Sequence, residues 1–433
     1  MGIPLAYYKF APIAGSGRQA VGSAVMVTQL ATPPHIDPAR VVDFDFFADR
    51  RYAEAGHPFS GLIRLCEDVG HGMFWTPHNG GHWFVTDHEL LFELTRDPGL
   101  FSNENTSFPP LPPEDEPWYP PLNVDAPRHI KYRMPLMRAL SPTRIRELQK
   151  DIRALAIDLI GTIAGKGRCD FLDAVAAPLP LTIFMKLMGF DLSRYREFRE
   201  WALAMTGADD DLKRDAYVNT IAMARELCAA RRIERRDDLV SHLLDERIDG
   251  EPFSQFDLDG LCLVLFGAGL DTVVNSLSFS MEHLARDPAL QDRLRAGPDL
   301  IPEAVEEMLR RYSVAFSMRT IKRDGSFHGM QLRPGERVLL MLAAANLDPK
   351  AFPEPERFDL DRENKTHVAF NTGAHRCVGS HLSRVEMATL IEEWLKRMPN
   401  VRLDPANPPT YRTNVVFEIT SLPLLWDTAA RRV

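Results

Sequence analysis

The sequence predicts a mainly α protein with small β-sheets, and three observations predict it. Helical apolar periodicity fills the middle of the chain, one apolar helix runs unbroken from about Ser254 to Arg286, and the β-like stretches on either side of this helical middle are short. The 433 residues carry 45% hydrophobic and 26% charged side chains, an ordinary soluble balance with ample material for a core. The net charge of -9 argues against a nucleic-acid partner, which calls for a basic domain.

Five cysteines, Cys66, Cys169, Cys228, Cys262 and Cys377, show neither zinc-site nor disulfide-framework spacing, so reduced thiols in a cytoplasmic protein are expected. The longest apolar run, Leu261 to Leu270, ends at Asp271, short of the roughly 20 residues that span a bilayer. No membrane partner is expected. Residues 1–32 lack a charged stretch followed by an apolar core and read as a loose N-terminal extension, and residues 33–433 read as a single domain.

Taken in order, Met73-Phe74-Trp75 and His82-Trp83-Phe84-Val85 flank Asn79-Gly80-Gly81 and read as a hairpin with a glycine turn. Asp87 through Thr95 is helical, and Asp97-Pro98 stops it. From Phe108 to Pro127 the chain carries Pro109, Pro110, Pro112, Pro113, Pro117, Pro120 and Pro121, which excludes helix and central strand. A long loop of this kind often forms a lid or binding site. Asp125-Ala126-Pro127-Arg128-His129 opens a helix that places His129 and Arg133 one turn apart on one face, either a solvated basic stripe or a pair that neutralises acidic groups. Helical patterns follow at 141–164, 178–189, 195–205 and 217–235, with glycine turns at 165–167 and 207–211.

Ser254-Gln255-Phe256-Asp257 is a capping box, and the helix it opens is apolar nearly all round, so it should cross the core. At its centre lies Gly267-Ala268-Gly269-Leu270-Asp271-Thr272. Each helix-interior glycine costs about 1 kcal/mol relative to alanine, and an acid in apolar surroundings costs more unless hydrogen-bonded. The plain reading is a kink with a local Thr-to-carbonyl bond; the functional one lets a flat group press on Gly267 and Gly269 while Asp271 and Thr272 pass protons. Glu307 and Arg310 stand one turn apart on a helix, and Pro355-Glu356-Arg357-Phe358 supplies a second arginine. Leu332 to Asn346 reads as a strand pair, and Thr413 to Trp426 as β structure with Pro423 at an edge or turn.

Phe370-Asn371-Thr372-Gly373-Ala374-His375-Arg376-Cys377-Val378-Gly379 precedes a helical run from Ser380 to Arg397. A cysteine near a helix is ordinarily a small buried hydrophobe. One in a Gly-bounded loop aimed at a helix N-terminus is set up as a thiolate, and a thiolate ligates iron. Phe370 can pack on a flat cofactor, Gly373 and Gly379 permit close backbone approach, and His375 can meet an acidic group.

Together these stretches resemble the cytochrome P450 superfamily: its haem loop at 370–379, its oxygen-activation segment at 268–272, and its Glu-x-x-Arg motif at 307–310 with the Pro-Glu-Arg-Phe partner. The likeness runs from about Phe44 to Trp426 and is nearest to bacterial camphor 5-monooxygenase-like terpenoid hydroxylases, on Leu270-Asp271-Thr272-Val273-Val274-Asn275 and Leu422-Pro423-Leu424-Leu425-Trp426. It implies a triangular-prism-like cytochrome P450 fold, with haem b between the long central helix and the cysteine-loop helix. Cys377 is implied as the axial thiolate and Asp271 and Thr272 as the proton relay. Ala268, Phe370, Gly373 and Gly379 are implied to lie against the haem, and His129, Arg133, Arg319 and His375 to meet its propionates. Glu307, Arg310 and Arg357 are implied as a buried structural triad.

The implied pocket comprises Phe108, Leu122, Thr206, Val264, Gly267, Ala315, Ser317 and Val416, with Trp118 and Tyr119 near the position where that class anchors a ketone. Gly267 and Leu122 stand where family members carry bulkier or more polar residues. A roomy apolar pocket results, suited to a cyclic terpenoid or a norisoprenoid ketone such as an ionone. The implied reaction is hydroxylation of an unactivated C–H bond with O2 and two electrons. The chain has no flavin or iron–sulfur motif, so a [2Fe-2S] ferredoxin docking near Arg128, Arg133 and Arg376, fed by an NADH-dependent ferredoxin reductase, is the implied donor. The resemblance also implies a monomer. Two rival classes are disfavoured by Asp271-Thr272: a peroxide-dependent haem-thiolate enzyme, which usually keeps Arg-Pro there, and a non-catalytic haem-binding or gas-sensing protein, which needs no relay.

Overall fold

The computed structural model describes residues 30–108, 110–112, 116–206, 210–414 and 416–428. Residues 1–29 of the expected extension, residues 207–209 of the expected glycine turn and the side chain of Thr206 lie outside the described residues.

Helices carry most of the chain, as the periodicity predicts. The central helix, Gln255–Arg286, opens on the expected box: Ser254 Oγ accepts from the Asp257 N–H at 3.1 Å and donates to the Asp257 carboxylate at 2.6 Å. Its two halves are buried in different clusters. Leu258, Leu261, Cys262, Phe266 and Leu270 pack with the helices Pro178–Met188, Tyr195–Thr206 and Asp210–Ile233. Val273, Val274, Leu277, Phe279 and Met281 pack with Pro142–Ile163 and with the cysteine helix, Ser380–Arg397. The central helix is long and apolar enough to cross a membrane, but 56% of its apolar window is buried inside the protein, the pattern of a core helix.

A five-stranded sheet lies in the order Met73–Thr76, His82–Val85, Arg337–Leu340, Ser317–Ile321, Phe101–Ser102. The hairpin forms as read, with Asn79, Gly80 and Gly81 at positive φ in its turn. Arg337–Leu340 pairs parallel to the second hairpin strand and antiparallel to Ser317–Ile321, where Arg319 sits opposite Val338.

Three expectations shift. Leu332 to Asn346 is no simple strand pair: Met330–Leu332 pairs with Gly325–Phe327, Arg337–Leu340 joins the large sheet, and Leu342–Ala345 is a helical turn favoured by three successive alanines. The helix expected from 217 begins at Asp210. Pro423 opens the strand Pro423–Leu425, which lies between Arg402–Leu403 and Arg168–Asp170 instead of at an edge. A strand's first residue tolerates proline.

Candidate active site

The loop before the cysteine helix is closed by backbone bonds, from the Cys377 N–H to the Phe370 carbonyl at 2.9 Å and from the Arg376 N–H to the Gly373 carbonyl at 3.2 Å. Gly373 has φ +70°, and a Cβ there would lie 2.6 Å from the Thr95 carbonyl oxygen. The close approach demanded of this glycine is thus to the end of the helix His88–Thr95. A Cβ on Gly379 would meet Cys377 Sγ at 3.8 Å, an ordinary contact. The Arg384 guanidinium covers Phe370 at 4.5 Å from the ring centroid, and Glu306 holds that guanidinium at 2.5 and 2.8 Å. Burial pushes the Glu306 carboxyl up, but Arg384 and His367 together outweigh it and hold it at about 2.

Cys377 is accessible. Burial in the surrounding protein pushes its thiol up, against the pull of the Gly379 N–H and of Arg133, Arg384 and Arg376. A metal bound at such a sulfur favours its deprotonated form.

Beside the loop, basic side chains converge. The His129 and His375 rings stack at 4.9 Å, and Arg133 donates to the Arg376 carbonyl. Arg319 is 3% exposed, and its Nη1 donates to Ser317 Oγ at 2.9 Å and to the Met318 carbonyl at 2.6 Å. Burial lowers all four; Arg319 falls to about 10, and His375, further opposed by Arg319, His129 and Arg133, falls to about 3. Among the described residues no carboxylate forms an ion pair with any of the four, and the buried Nδ1 of His129 has no partner. Nearby, Asp125 is taken up by Lys322, Ser102 and the Asn103 N–H. Such a cluster is short of anions.

The central helix carries an accessible stretch of its own. Gly267, Ala268 and Gly269 are accessible in a helix otherwise largely buried, and a Cβ on Gly267 or Gly269 would meet nothing within 4 Å. Val378, next to Cys377, packs against the same apolar cluster to which Phe266 and Leu270 belong. Thr272 Oγ1 donates to the Ala268 carbonyl at 3.0 Å, the local bond foreseen for a loosened helix. Burial and the charge of Glu418 push the Asp271 carboxyl up to about 7, against Arg199 and Arg412. An accessible cysteine, a wall of small residues and four basic groups without anions fit a flat, metal-bearing group with two carboxylates.

The family model for cytochrome P450 matches residues 212–410. The steroid C26-monooxygenase of Mycobacterium tuberculosis is 32% identical over 79% of this chain and 94% of its own length. The chain is a cytochrome P450. The linalool 8-monooxygenase of Pseudomonas putida is 32% identical over 74% of this cytochrome P450 and 84% of that enzyme. The crystal structure of CYP101J2 matches with a TM-score of 0.84 at 30% identity, covering 92% of this chain and 100% of that one. This P450 is accordingly a bacterial-type monooxygenase with the cytochrome P450 fold, and its cofactor is cysteine-ligated haem b.

In this P450 the buried triad differs from the expected one. Glu307 receives Arg310 in a bidentate pair at 2.8 and 2.8 Å, and its second arginine is Arg362, at 3.1 Å. Arg357 is corrected: its side chain is 60% exposed and pairs with Glu354 and Asp359, while its carbonyl accepts from Arg310 and Arg362. Sequence order favoured Arg357 within Pro-Glu-Arg-Phe, but the turn there points that side chain outward and brings round the arginine five positions later.

Among the pocket residues, Ala315 and Val416 form an isolated bridge, Ser317 binds Arg319, and Val264 and Gly267 lie one turn apart on the central helix. Phe108 sits with Phe46, Phe47, Phe316 and His82 in an aromatic cluster. Leu122 is 48% exposed, and the Tyr119 N–H donates to Asn123 Oδ1. Trp118 docks the proline-rich loop on the start of the central helix, stacking on Phe256 at 6.0 Å and donating to Asp257 at 3.2 Å. That is about 15 Å along the axis from Gly267, so these contacts fix the loop and not the Gly267 face. Sequence reasoning missed Glu306, Arg384 and Arg362, and the bond of Trp118 to Asp257. Only Arg384, two helical turns after Cys377, carried a usable signal, its spacing on the cysteine-helix face.

Proposed function

We propose that this P450 hydroxylates a small cyclic terpenoid or norisoprenoid, an ionone-like or camphor-like ketone, with electrons from a [2Fe-2S] ferredoxin and its NADH-dependent reductase. The observation that carries the site reading is the set of four basic side chains without anionic partners beside the accessible Cys377 and the Gly267–Gly269 wall. In this reading Cys377 is the axial ligand, and Arg319, His129, Arg133 and His375 orient the haem through its two propionates. When bound, the haem supplies O2 activation and C–H oxidation.

The protein's own share is positioning and proton supply. Asp271, near half-protonation at neutral pH, holds a proton next to Thr272, whose hydroxyl turns from the Ala268 carbonyl to pass it on. Val264, Gly267, Ala315, Val416 and Phe108 offer apolar or small surfaces, so shape decides which carbon is presented. The terpenoid assignment is supported by this lining and by the similarity to linalool 8-monooxygenase. Arg376 is exposed in the cysteine loop and suits an acidic donor, whereas Arg133 is turned onto the Arg376 carbonyl and Arg128 lies over Trp118 and Tyr132.

Titration of the ferric protein with ionones, camphor, cineole, steroids and fatty acids tests the substrate. An ionone or camphor-like ketone giving the fullest low-spin to high-spin shift, and a hydroxylated product on reconstitution with ferredoxin and NADH, is expected. A full shift with a steroid or fatty acid and none with terpenoids would remove the terpenoid assignment.

A further inference from the structure

Asp271 does not face the apolar core alone. Asn275, one turn on, donates through Nδ2 to the Asp271 carbonyl at 2.9 Å and accepts through Oδ1 from the Ile419 N–H at 2.9 Å, tying the central helix to the strand Phe417–Ser421. The residue before Ile419 in that strand is Glu418, and it is 5% exposed. Arg412, directly opposite across the hairpin, donates to one carboxylate oxygen at 2.7 Å, and Asn414 donates to the other at 3.3 Å. The charged groups bearing on Asp271 come from two sides. Glu418 and Arg412 lie on the hairpin, and Arg199 lies on the helix Tyr195–Thr206, where it pairs with Asp173 at 2.7 Å.

We propose that Glu418 is a positioning residue for proton delivery: anchored by Arg412 and Asn414, it places a second buried carboxylate behind Asp271 and keeps Asp271 in its protonated, donating form. The proposal rests on Asp271 being the relay acid. Asn275 brings the strand residue next to Glu418 against the turn that carries Asp271, and a buried like charge so placed disfavours ionisation of Asp271. The directions agree. Burial and Glu418 push Asp271 up to about 7, and burial also holds Glu418 above its ordinary range despite the Arg412 and Asn414 bonds. The donating form is therefore lost as pH rises through about 7.

The test follows the carboxyl C=O infrared band of Asp271 in the ferric holoenzyme, assigned by its loss in Asp271→Asn, as a function of pH. Wild type should titrate near neutrality. Glu418→Gln should move the midpoint down by about one pH unit, because the like charge is gone and Arg412 is freed. Arg412→Gln should move it up, and Glu418→Asp should restore the wild-type value. The alkaline limb of coupled turnover should shift in step. Midpoints unmoved, or moved in the same direction, by Glu418→Gln and Arg412→Gln overturn the proposal. Product yield unchanged in Asp271→Asn would instead overturn the relay reading on which it rests, while the carboxyl titrations still report on the pair.

Discussion

Thr272 donates to the Ala268 carbonyl, so its hydroxyl is held at the point where the accessible small residues end and Asp271 begins. Under the proposed relay, replacing Thr272 with Ala removes a proton carrier. Product per NADH should fall roughly 10-fold or more while NADH oxidation persists and peroxide accumulates, since a positioned proton donor contributes about 10^2-fold or more. Unchanged product per NADH in that variant would remove Thr272 from the relay. At this scale the sequence was most legible where structure is local: the cysteine loop before Ser380 and the Thr272-to-Ala268 bond each follow from the residues beside them. Arg362 was illegible because its role depends on which way a loop turns. Glu418 was illegible because strand and helix meet only in the fold.

The central helix is defined by what its glycines do not touch. Gly267 has open space where a Cβ would stand, so Gly267→Ala should raise stability of the haem-free chain by about 0.5–1 kcal/mol through backbone entropy. The same methyl would stand on the accessible face of the helix and should change product distribution. Chemical denaturation and product analysis of one variant read both effects. The helix Ile301–Arg311 makes the complementary case. Glu307, Arg310 and Arg362 are 6%, 1% and 8% exposed, so Arg362→Leu leaves Glu307 with Arg310 alone, frees three carbonyls and should cost about 1–3 kcal/mol. Arg357→Ala, on an exposed side chain, should stay within about 0.5 kcal/mol. A larger loss from Arg357 than from Arg362 would reverse the triad assignment. Helix positions were legible from apolar period and caps such as Ser254. The turn Leu342–Ala345 and the central placement of Pro423 were not, because pairing partners decide strand status.

In this acidic chain Arg376, within the cysteine loop, is accessible. If an acidic ferredoxin docks there, ferredoxin-driven turnover should fall steeply as ionic strength rises past about 0.1 M, and Arg376→Glu should slow association while leaving substrate spin shifts unchanged. Turnover insensitive to both would place the donor elsewhere. The proline-rich loop is latched to the start of the central helix through Trp118, which stacks on Phe256 and donates to Asp257. The most direct test of the whole account is the optical spectrum of the dithionite-reduced protein with CO, recorded for wild type and for Cys377→His. The account predicts the strongly red-shifted Soret band of a thiolate-ligated haem in wild type and its loss in the variant. A wild-type protein lacking that band, or a variant retaining it, would contradict Cys377 as the iron's ligand and the function built upon it.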